Sequence, residues 1–341
     1  MSSDVVLSAP FQSPLRQLTG VQIIGTGSYV PDNVVTNEDL ASLGCDADWI
    51  IQRTGIRERR HAPPELSTSD MAFEAAERCI ASADIDRSRI DLLIVATLSP
   101  DYLLPATASA LQDRLKLNCA AMDVSAACAG CMYALITGMQ FVSTGCSNAA
   151  LVIGADTNSR VMNPADKKTF PLFGDGAGAV LITKGSADQG LLSYTLGADG
   201  SGEKLLIRPS GGARMPLDGT TSGGDDWFVR MDGRPVFKWA VRLLDDSSRQ
   251  VLAAAGLNVS DVALWLFHQA NIRILDAASD ALAIDRSKVE THIDRYGNTS
   301  AGTIPIALDE SRRGGRFKRG DLLMLSGFGG GLSWGTALMR W

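Results

Sequence analysis

The sequence predicts an α/β protein built from two similar halves. Short runs of apolar and β-branched residues alternate with longer stretches of helical periodicity, a pattern typical of layered α/β proteins. The order of acidic residue, strand, polar loop and helix begins at Asp91 and occurs again from Asp261. A chain of 341 residues is long enough for each half to bury its own core.

The elements follow this rhythm along the chain. After a loose N-terminal extension at 1–18, strands are predicted at VQIIGTGSYV, Ile90–Thr97, Ala149–Asp156 and Ala177–Gly185, with a helix at SDMAFEAAERCIASADI. The polar segment after Lys184 separates a first half, 19–185, from a second half, 186–341. The second half has helices at FKWAVRLLDDSSRQVLAAAG and IRILDAASDALAI, and strands at VALWLF, DLLMLSGFG and TALMRW.

The region 197–233 is rich in glycine, aspartate and serine. This composition predicts long surface loops in which Arg208 and Arg214 are solvated.

The composition excludes several classes of protein. No run approaches the ~18 apolar residues of a membrane span, and the N-terminus lacks a basic start followed by an apolar stretch, so we expect no membrane association and a cytoplasmic location. The net charge of −6 argues against a nucleic-acid surface. The six cysteines are too sparse for a disulfide framework, so we expect free thiols at Cys45, Cys79, Cys119, Cys128, Cys131 and Cys146.

Cys128 stands in MDVSAACAGCM, between an apparent strand and an apolar helix. A helix N-terminus lowers a thiol pKa from about 8.5 towards about 3.5–7.5, which would make Cys128 a nucleophile. A buried packing role is the plainer interpretation. The CxxC formed with Cys131 also allows a redox pair or half of a zinc site, but no second CxxC or nearby histidine completes a metal site, and we expect no metal.

Three further signals lie in the second half. His268 ends the strand VALWLF, where α/β proteins collect reactive groups, whereas His61 and His292 lie among charged residues. Asn298 lies in a glycine-flanked turn, where an asparagine is usually a turn former or cap. The run FGGGLSWG lets the backbone approach a ligand and offers N–H groups to an oxyanion, although a tight turn between strands is the simpler explanation.

Together these motifs resemble the β-ketoacyl-acyl-carrier-protein synthase III family of thiolase-like condensing enzymes. The resemblance rests on DVSAACAG, HQAN, YGNTSAG and FGGGLSWG, and extends through VQIIGTGSYVPDNVVTN, DWIIQRTGIRERR and LFGDGAGAVL to TALMRW. It implies a thiolase-like five-layered αβαβα fold of two duplicated halves, usually as a homodimer, with no cofactor.

The resemblance also implies the chemistry. Cys128 would accept an acyl group from acyl-coenzyme A (acyl-CoA), and His268 and Asn298 would donate hydrogen bonds during decarboxylation of malonyl-acyl-carrier protein (malonyl-ACP). The N–H groups of Cys128 and Gly330 would form the oxyanion hole. A thiolate suits this reaction because thioester exchange is nearly neutral in energy.

Binding residues are implied in the same way. For coenzyme A they are Trp49, Arg53 and Arg160, since an indole and a guanidinium can sandwich a purine. For docking of the carrier protein they are Lys238 and Arg273. The family's lysine pair further along that helix is Ser279 and Asp280 here, so the basic run 312–319 is a further candidate, although a charge run is usually a solvated face.

Two departures bear on the acyl pocket. Leu104 replaces an aromatic residue in the loop that reaches the partner subunit, and Cys131 replaces a larger apolar residue, so the expected starter acyl group is acetyl or somewhat larger.

The sequence leaves two alternative functions. One is a relative that loads a starter for a secondary metabolite or transfers an acyl group to oxygen; the other is a non-catalytic scaffold or carrier-binding module, which is disfavoured because Cys128, His268 and Asn298 are all present.

Overall fold

The computed structural model describes residues 13–217 and 224–341. The strands are β1 (Arg16–Thr19), β2 (Val21–Tyr29), β3 (Val34–Thr36), β4 (Glu58–Arg60), β5 (Leu92–Ala96), β6 (Ala120–Val124), β7 (Ala149–Asp156), β8 (Gly176–Lys184), β9 (Gly190–Ala198), β10 (Leu206–Ile207), β11 (Arg230–Met231), β12 (Leu264–Phe267), β13 (Leu322–Gly329) and β14 (Ser333–Arg340). The helices are α1 (Ala47–Thr54), α2 (Thr68–Ala83), α3 (Thr107–Arg114), α4 (Gly130–Thr144), α5 (Gly233–Ala255), α6 (Ile272–Leu282), α7 (Ile293–Tyr296) and α8 (Thr303–Arg313).

Two five-stranded sheets repeat one topology. The first has the order β2-β8-β7-β5-β6, and the second has β1-β9-β14-β13-β12. In the first, β2–β8 and β8–β7 are antiparallel, while β7–β5 and β5–β6 are parallel. In the second sheet, β9–β14 and β14–β13 are antiparallel and β13–β12 is parallel, so that β9, β14, β13 and β12 correspond to β2, β8, β7 and β5. A parallel bridge from Trp265 to Val289 takes the place of β6, and β1 is an additional strand that pairs with β9. The repeat is therefore visible in strand order and direction.

The sheets and helices form five layers with three cores. One core joins α2 and α3 to the first sheet, the central core joins both sheets to α4 and α8, and the third joins α5 and α6 to the second sheet. In β5, Leu93 faces the first core and Ile94 the central core; in β12, Leu266 faces the central core and Phe267 the third. Both faces of these strands are buried, which explains why their sequences are continuously apolar.

The predicted five-layered fold is confirmed, with local differences. β1 begins at Arg16 and pairs with β9, so the predicted extension 1–18 includes the start of a sheet strand; residues 1–12 lie outside the described residues. Within 197–233, β10 and β11 pair with each other. Arg214 is exposed as predicted, but the solvated position expected for Arg208 is wrong. Its guanidinium stacks 3.9 Å from the Trp227 ring centroid, and its Nε donates to the Trp227 carbonyl at 2.8 Å.

One helical stretch of the described residues, Ala127–Thr144, is long and apolar enough to cross a membrane. Sixty-one per cent of it is buried inside the fold, because α4 is a helix of the central layer. Its apolar surface is accounted for by packing between the two sheets.

Candidate active site

Cys128 lies in a single helical turn, Ala127–Ala129, that joins β6 to α4. Its side chain is buried. The end of β13 packs against it: a Cβ added at Gly329 would lie 2.8 Å from the Cys128 nitrogen and 3.0 Å from its Cβ. Only a residue without a side chain permits this approach.

The ionisation of Cys128 differs from the sequence-based expectation. Burial raises the pKa of the thiol to about 12, and the buried Asp156 carboxyl raises it further, while the neighbouring Ser300 hydroxyl lowers it. The predicted lowering of the pKa by the helix N-terminus is therefore outweighed in the resting site, because desolvation penalises the thiolate. Cys128 is a neutral thiol before substrate arrives.

His268 directly follows β12 and is buried. Its backbone N–H donates to the Ser326 carbonyl of β13 at 2.8 Å, and its ring meets that of Phe328 edge to face, with centroids 5.2 Å apart. Burial lowers the pKa of His268 to about 3, with a contribution from His292. The imidazole is thus neutral near pH 7, a state that can donate a hydrogen bond without carrying charge.

Asn298 is held by its own backbone. Its N–H donates to the Leu172 carbonyl at 2.8 Å, and its carbonyl accepts from the Gly174 N–H at 3.0 Å. Its side-chain Oδ1 accepts from the Ser300 N–H at 2.8 Å, which leaves the amide NH2 as the donor. The same turn places the Ser300 side chain beside Cys128.

The three predicted catalytic segments meet around Cys128 and the end of β13. Phe328 contacts the His268 ring, Gly329 packs against Cys128, and the turn after Asn298 also reaches Cys128 through Ser300. Gly330 follows directly: a Cβ there would lie 3.7 Å from the Ala127 side chain. The structure therefore places the predicted oxyanion-hole residue Gly330 beside the turn that carries Cys128.

His292 was not selected from the sequence and is fully buried. Its ring centroid lies 5.5 Å from that of Tyr296, with the two planes tilted by 43°. Among the described residues neither ring nitrogen has a hydrogen-bond partner, and burial lowers its pKa to about 4. The electrostatic effect of His292 also lowers the pKa of His268. The sequence contained one signal of this burial: His292 and Tyr296 are four residues apart, which places them on one face of a helix, and the apolar Ile293 is next to His292.

Trp49 and Arg53 lie one turn apart on α1, and both are exposed. The Arg53 Cζ is 5.9 Å from the Trp49 ring centroid. Helix α1 packs closely on the start of α6, since a Cβ at Gly55 would lie 2.6 Å from the Ile272 Cβ. The structure thus pairs an indole and a guanidinium on one open helix face.

Arg160 is placed differently. Its guanidinium donates to the carbonyls of Pro63, Pro64 and Leu66 at 3.0, 2.9 and 2.7 Å, and so is tied to that segment rather than to α1. It lines a cavity of about 650 Å³ together with residues of the loop after β5 and of the 208–227 region.

Lys238 and Arg273 are exposed near the starts of α5 and α6. Arg273 Cζ lies 5.8 Å from the ring of Phe237, the neighbour of Lys238, so the two cations share one surface. The basic run 312–319 begins at the far end of α8 from Asn298. Arg312, Arg316 and Arg319 of this run donate to groups of the chain itself.

The two predicted acyl-pocket residues have opposite environments. Leu104 is 87% exposed, in a loop whose neighbours Tyr102 and Leu103 are also exposed. Cys131 is buried in the central core, and burial raises the pKa of its thiol to about 12. All six cysteines are free, and within 13–217 and 224–341 no three His, Cys, Asp or Glu side chains are grouped to hold a metal.

Comparison with known proteins was consistent with this geometry. Residues 122–200 match the family model described as 3-oxoacyl-[acyl-carrier-protein (ACP)] synthase III, and residues 252–341 match the model of its C-terminal part. The chain is 52% identical to the β-ketoacyl-[acyl-carrier-protein] synthase III of Rhodopirellula baltica, over 96% of this chain and all of the relative. It is 46% identical to that of Geobacillus kaustophilus, over 94% and 99%.

Solved structures of related enzymes are also similar to this chain in sequence and fold. The 3-oxoacyl-[acyl-carrier-protein] synthase III of Aquifex aeolicus is 42% identical, with a TM-score of 0.87 over 94% of this chain and all of that one. The priming β-ketosynthase of the R1128 polyketide biosynthetic pathway is 31% identical, with a TM-score of 0.87 over 98% of both chains.

Proposed function

The chain belongs to the 3-oxoacyl-[acyl-carrier-protein] synthase III family, and on that basis we propose that it starts fatty acid biosynthesis by decarboxylative Claisen condensation. An acyl-CoA starter and malonyl-ACP would give 3-oxoacyl-ACP, CoA and CO2. The observation that carries the proposal is that the end of β13 packs against Cys128 and contacts the His268 ring, while the turn after Asn298 reaches Cys128 through Ser300.

In the first half-reaction, the Cys128 sulfur attacks the thioester carbonyl of the starter and CoA leaves. The negative charge on the carbonyl oxygen is stabilised by the N–H groups of Cys128 and Gly330, which lie on adjacent turns. The packing of Gly329 against Cys128 supports this role, because it brings the backbone of both segments together.

In the second half-reaction, His268 and Asn298 donate hydrogen bonds to the malonyl thioester oxygen. CO2 leaves, the enolate forms, and its carbon attacks the acyl carbonyl on Cys128. The C–S bond to Cys128 then breaks, so that 3-oxoacyl-ACP is released and Cys128 leaves as a thiolate that is reprotonated. A donor pair is sufficient because the oxygen gains charge and no proton needs to be removed. The lowered pKa of His268 supports this role, since a neutral imidazole keeps an N–H to donate.

The proposed substrate contacts lie on the surfaces that carry the predicted binding residues. Trp49 and Arg53 would hold the adenine of CoA by stacking, and Arg160 would add a further contact where it lines the cavity. Lys238 and Arg273 would meet the acidic carrier protein.

A homodimer is proposed from two features. Strand β6 is an edge strand with half-buried side chains, and the loop with Tyr102, Leu103 and Leu104 presents exposed apolar side chains. A second copy of the chain would cover both and would bring Leu104 towards the partner's acyl pocket. A cytoplasmic location stays a prediction from the sequence.

The likeness to the polyketide priming β-ketosynthase keeps starter loading for a secondary metabolite as a second candidate. The higher identity to synthase III relatives favours fatty acid initiation.

The experiment uses the purified protein with a panel of acyl-CoA starters and malonyl-ACP, and products are identified by mass. We expect 3-oxoacyl-ACP two carbons longer than the starter, with an acyl-enzyme mass on the Cys128 peptide. Cys128→Ala should abolish both, whereas Cys146→Ala, which removes an exposed thiol, should preserve both. Acylation at Cys131, or persistence of acylation in Cys128→Ala, would contradict the proposal.

A further inference from the structure

Asp156 is a buried carboxylate at the end of β7, next to the turn that precedes α8. The turn approaches because Gly154 has no side chain: a Cβ there would lie 2.1 Å from the Ala301 carbonyl oxygen. Asp156 Oδ2 accepts from the Ala301 N–H at 3.0 Å. The carboxylate therefore faces the same turn that reaches Cys128.

The two oxygens of Asp156 are occupied unequally. Oδ1 accepts from Thr97 Oγ1 at 2.9 Å, from Ser99 Oγ at 2.9 Å, and from the N–H groups of Leu98 and Ser99 at 2.8 and 3.2 Å. Within the described part of the chain, the Ala301 N–H is the sole hydrogen-bond donor at Oδ2. Oδ2 therefore retains capacity to accept another hydrogen bond.

The Ser300 hydroxyl neighbours both this carboxylate and the thiol. Its turn packs on the turn that carries Cys128, since a Cβ added at Gly130 would lie 3.9 Å from the Ala301 Cβ. The Ser300 side chain is buried, and it influences the pKa of both Asp156 and Cys128 as a neighbouring donor. Within the residues that the structure describes, its Oγ has no hydrogen-bond partner of good geometry, so it is available to both. A buried hydroxyl without a partner lowers the stability of the fold, so its presence calls for an explanation such as a catalytic role.

We propose that Ser300 and Asp156 form a proton relay that deprotonates Cys128, an inference that rests on the proposed role of Cys128 as nucleophile. The S–H bond breaks and its proton passes to Ser300 Oγ, while the hydroxyl proton of Ser300 passes to Asp156 Oδ2. The electron pair stays on sulfur and forms the bond to the thioester carbon. When CoA leaves, the proton returns through Ser300 to the CoA sulfur, and Asp156 is again a carboxylate.

The electrostatics favour this route over His268. Burial raises the pKa of both Cys128 and Asp156, and the relay moves a single negative charge from one buried group to the other without creating a second. Transfer to His268 would instead create a buried imidazolium, which burial disfavours, since the pKa of His268 is about 3. The helix N-terminus then assists the thiolate once it forms.

The test measures acylation of Cys128 by acyl-CoA and, separately, decarboxylation of malonyl-ACP. Ser300→Ala and Ser300→Gly both keep the backbone N–H bonded to Asn298, and glycine suits the positive φ of 51° at this residue. Both variants should acylate about 10²-fold or more slowly, as expected for loss of general base catalysis. Their decarboxylation should stay within about threefold of the wild type.

Asp156→Asn provides an independent variant, because the amide keeps the size of the side chain but its oxygen is not a base. It should slow acylation to a similar extent. In the two Ser300 variants, the pH at which iodoacetamide alkylates Cys128 should rise by about one unit or more, because the Ser300 hydroxyl lowers the pKa of the thiol. In Asp156→Asn it should not rise, because the Asp156 carboxylate raises that pKa.

Thr303→Ala is the matched control. It removes another buried hydroxyl at the start of α8, whose partner is Thr299 Oγ1 at 3.1 Å, and it should acylate at the wild-type rate. Wild-type acylation in a folded Ser300→Gly or Asp156→Asn variant would overturn the relay while leaving the proposed function intact. Acylation of the wild type at a residue other than Cys128 would overturn the proposed function itself.

Discussion

Gly329 packs against Cys128 so closely that a side-chain carbon at Gly329 would lie 2.8 Å from the Cys128 nitrogen and 3.0 Å from its Cβ. The end of β13 and the turn before α4 therefore have backbone contact at the proposed nucleophile. This contact has a direct mutational consequence.

Gly329→Ala should shift the Cys128 turn and so slow its acylation. Forcing a methyl group into this space should also cost about 1–3 kcal/mol of stability. Acylation is followed by mass and stability by urea unfolding. Gly200→Ala is the control, because a Cβ there meets no atom within 4 Å, and its stability should stay within about 0.5 kcal/mol of the wild type. Equal behaviour of the two variants would contradict the contact.

His268 and Asn298 should serve decarboxylation more than acylation. In His268→Ala and Asn298→Ala, acyl-Cys128 should still form, while CO2 release from malonyl-ACP should fall by about 10²–10³. Asn258→Ala, which removes an exposed amide outside the site, is the control and should preserve both steps. A His268→Ala variant that fails to acylate but decarboxylates normally would instead identify His268 as the base for the thiol.

Leu104→Phe should shift the starter preference towards shorter acyl groups, because in the proposed homodimer the larger side chain would refill volume in the partner's acyl pocket. Each methylene placed in an apolar pocket is worth about 0.8 kcal/mol, so rates with longer starters should fall most. The measurement is the product profile with an acyl-CoA panel. Leu103→Phe, at the equally exposed neighbouring position, is the control and should leave the profile unchanged. An unchanged profile in Leu104→Phe would show that this residue does not set chain length.

Lys238→Glu should raise the KM for malonyl-ACP and leave acylation by acyl-CoA unchanged. The expected rise is about five- to tenfold at low salt and smaller at high salt, since the contact is a surface charge pair with the carrier. Lys318→Glu, an exposed cation of the basic run, is the matched control. A larger effect at Lys318 than at Lys238 would move the docking surface to that run.

The buried histidines should make stability depend on pH. The pKa of His268 is lowered to about 3 and that of His292 to about 4, whereas an unfolded histidine has a pKa near 6.5. Below about 6.5 the unfolded chain binds more protons, so the free energy of unfolding falls as pH falls, by up to about 1.4 kcal/mol per pH unit from each group.

Urea unfolding between about pH 6 and pH 5 measures this slope. His292→Gln should reduce the slope, because it removes one of the histidines whose pKa burial lowers. A slope equal to that of the wild type would mean that His292 is not held neutral in the folded protein.

The sequence by itself was sufficient for the fold class and the main catalytic candidates. Strands such as β5 and β12 are continuously apolar because both faces are buried, and this pattern is local. Cys128 and His268 were likewise recognisable, because a reactive residue at the junction of a strand and a helix leaves a short local pattern.

Only the tertiary structure decided the ionisation of these residues and which groups surround them. The pKa of Cys128 is raised rather than lowered, Arg160 is tied to residues 63–66, and the Ser300 hydroxyl neighbours both Cys128 and Asp156. The physical reason is that desolvation and proton affinity depend on groups distant in the chain: Asp156 and Ala301, whose hydrogen bond closes the site, are 145 residues apart. No local pattern records which distant groups exclude water from a side chain.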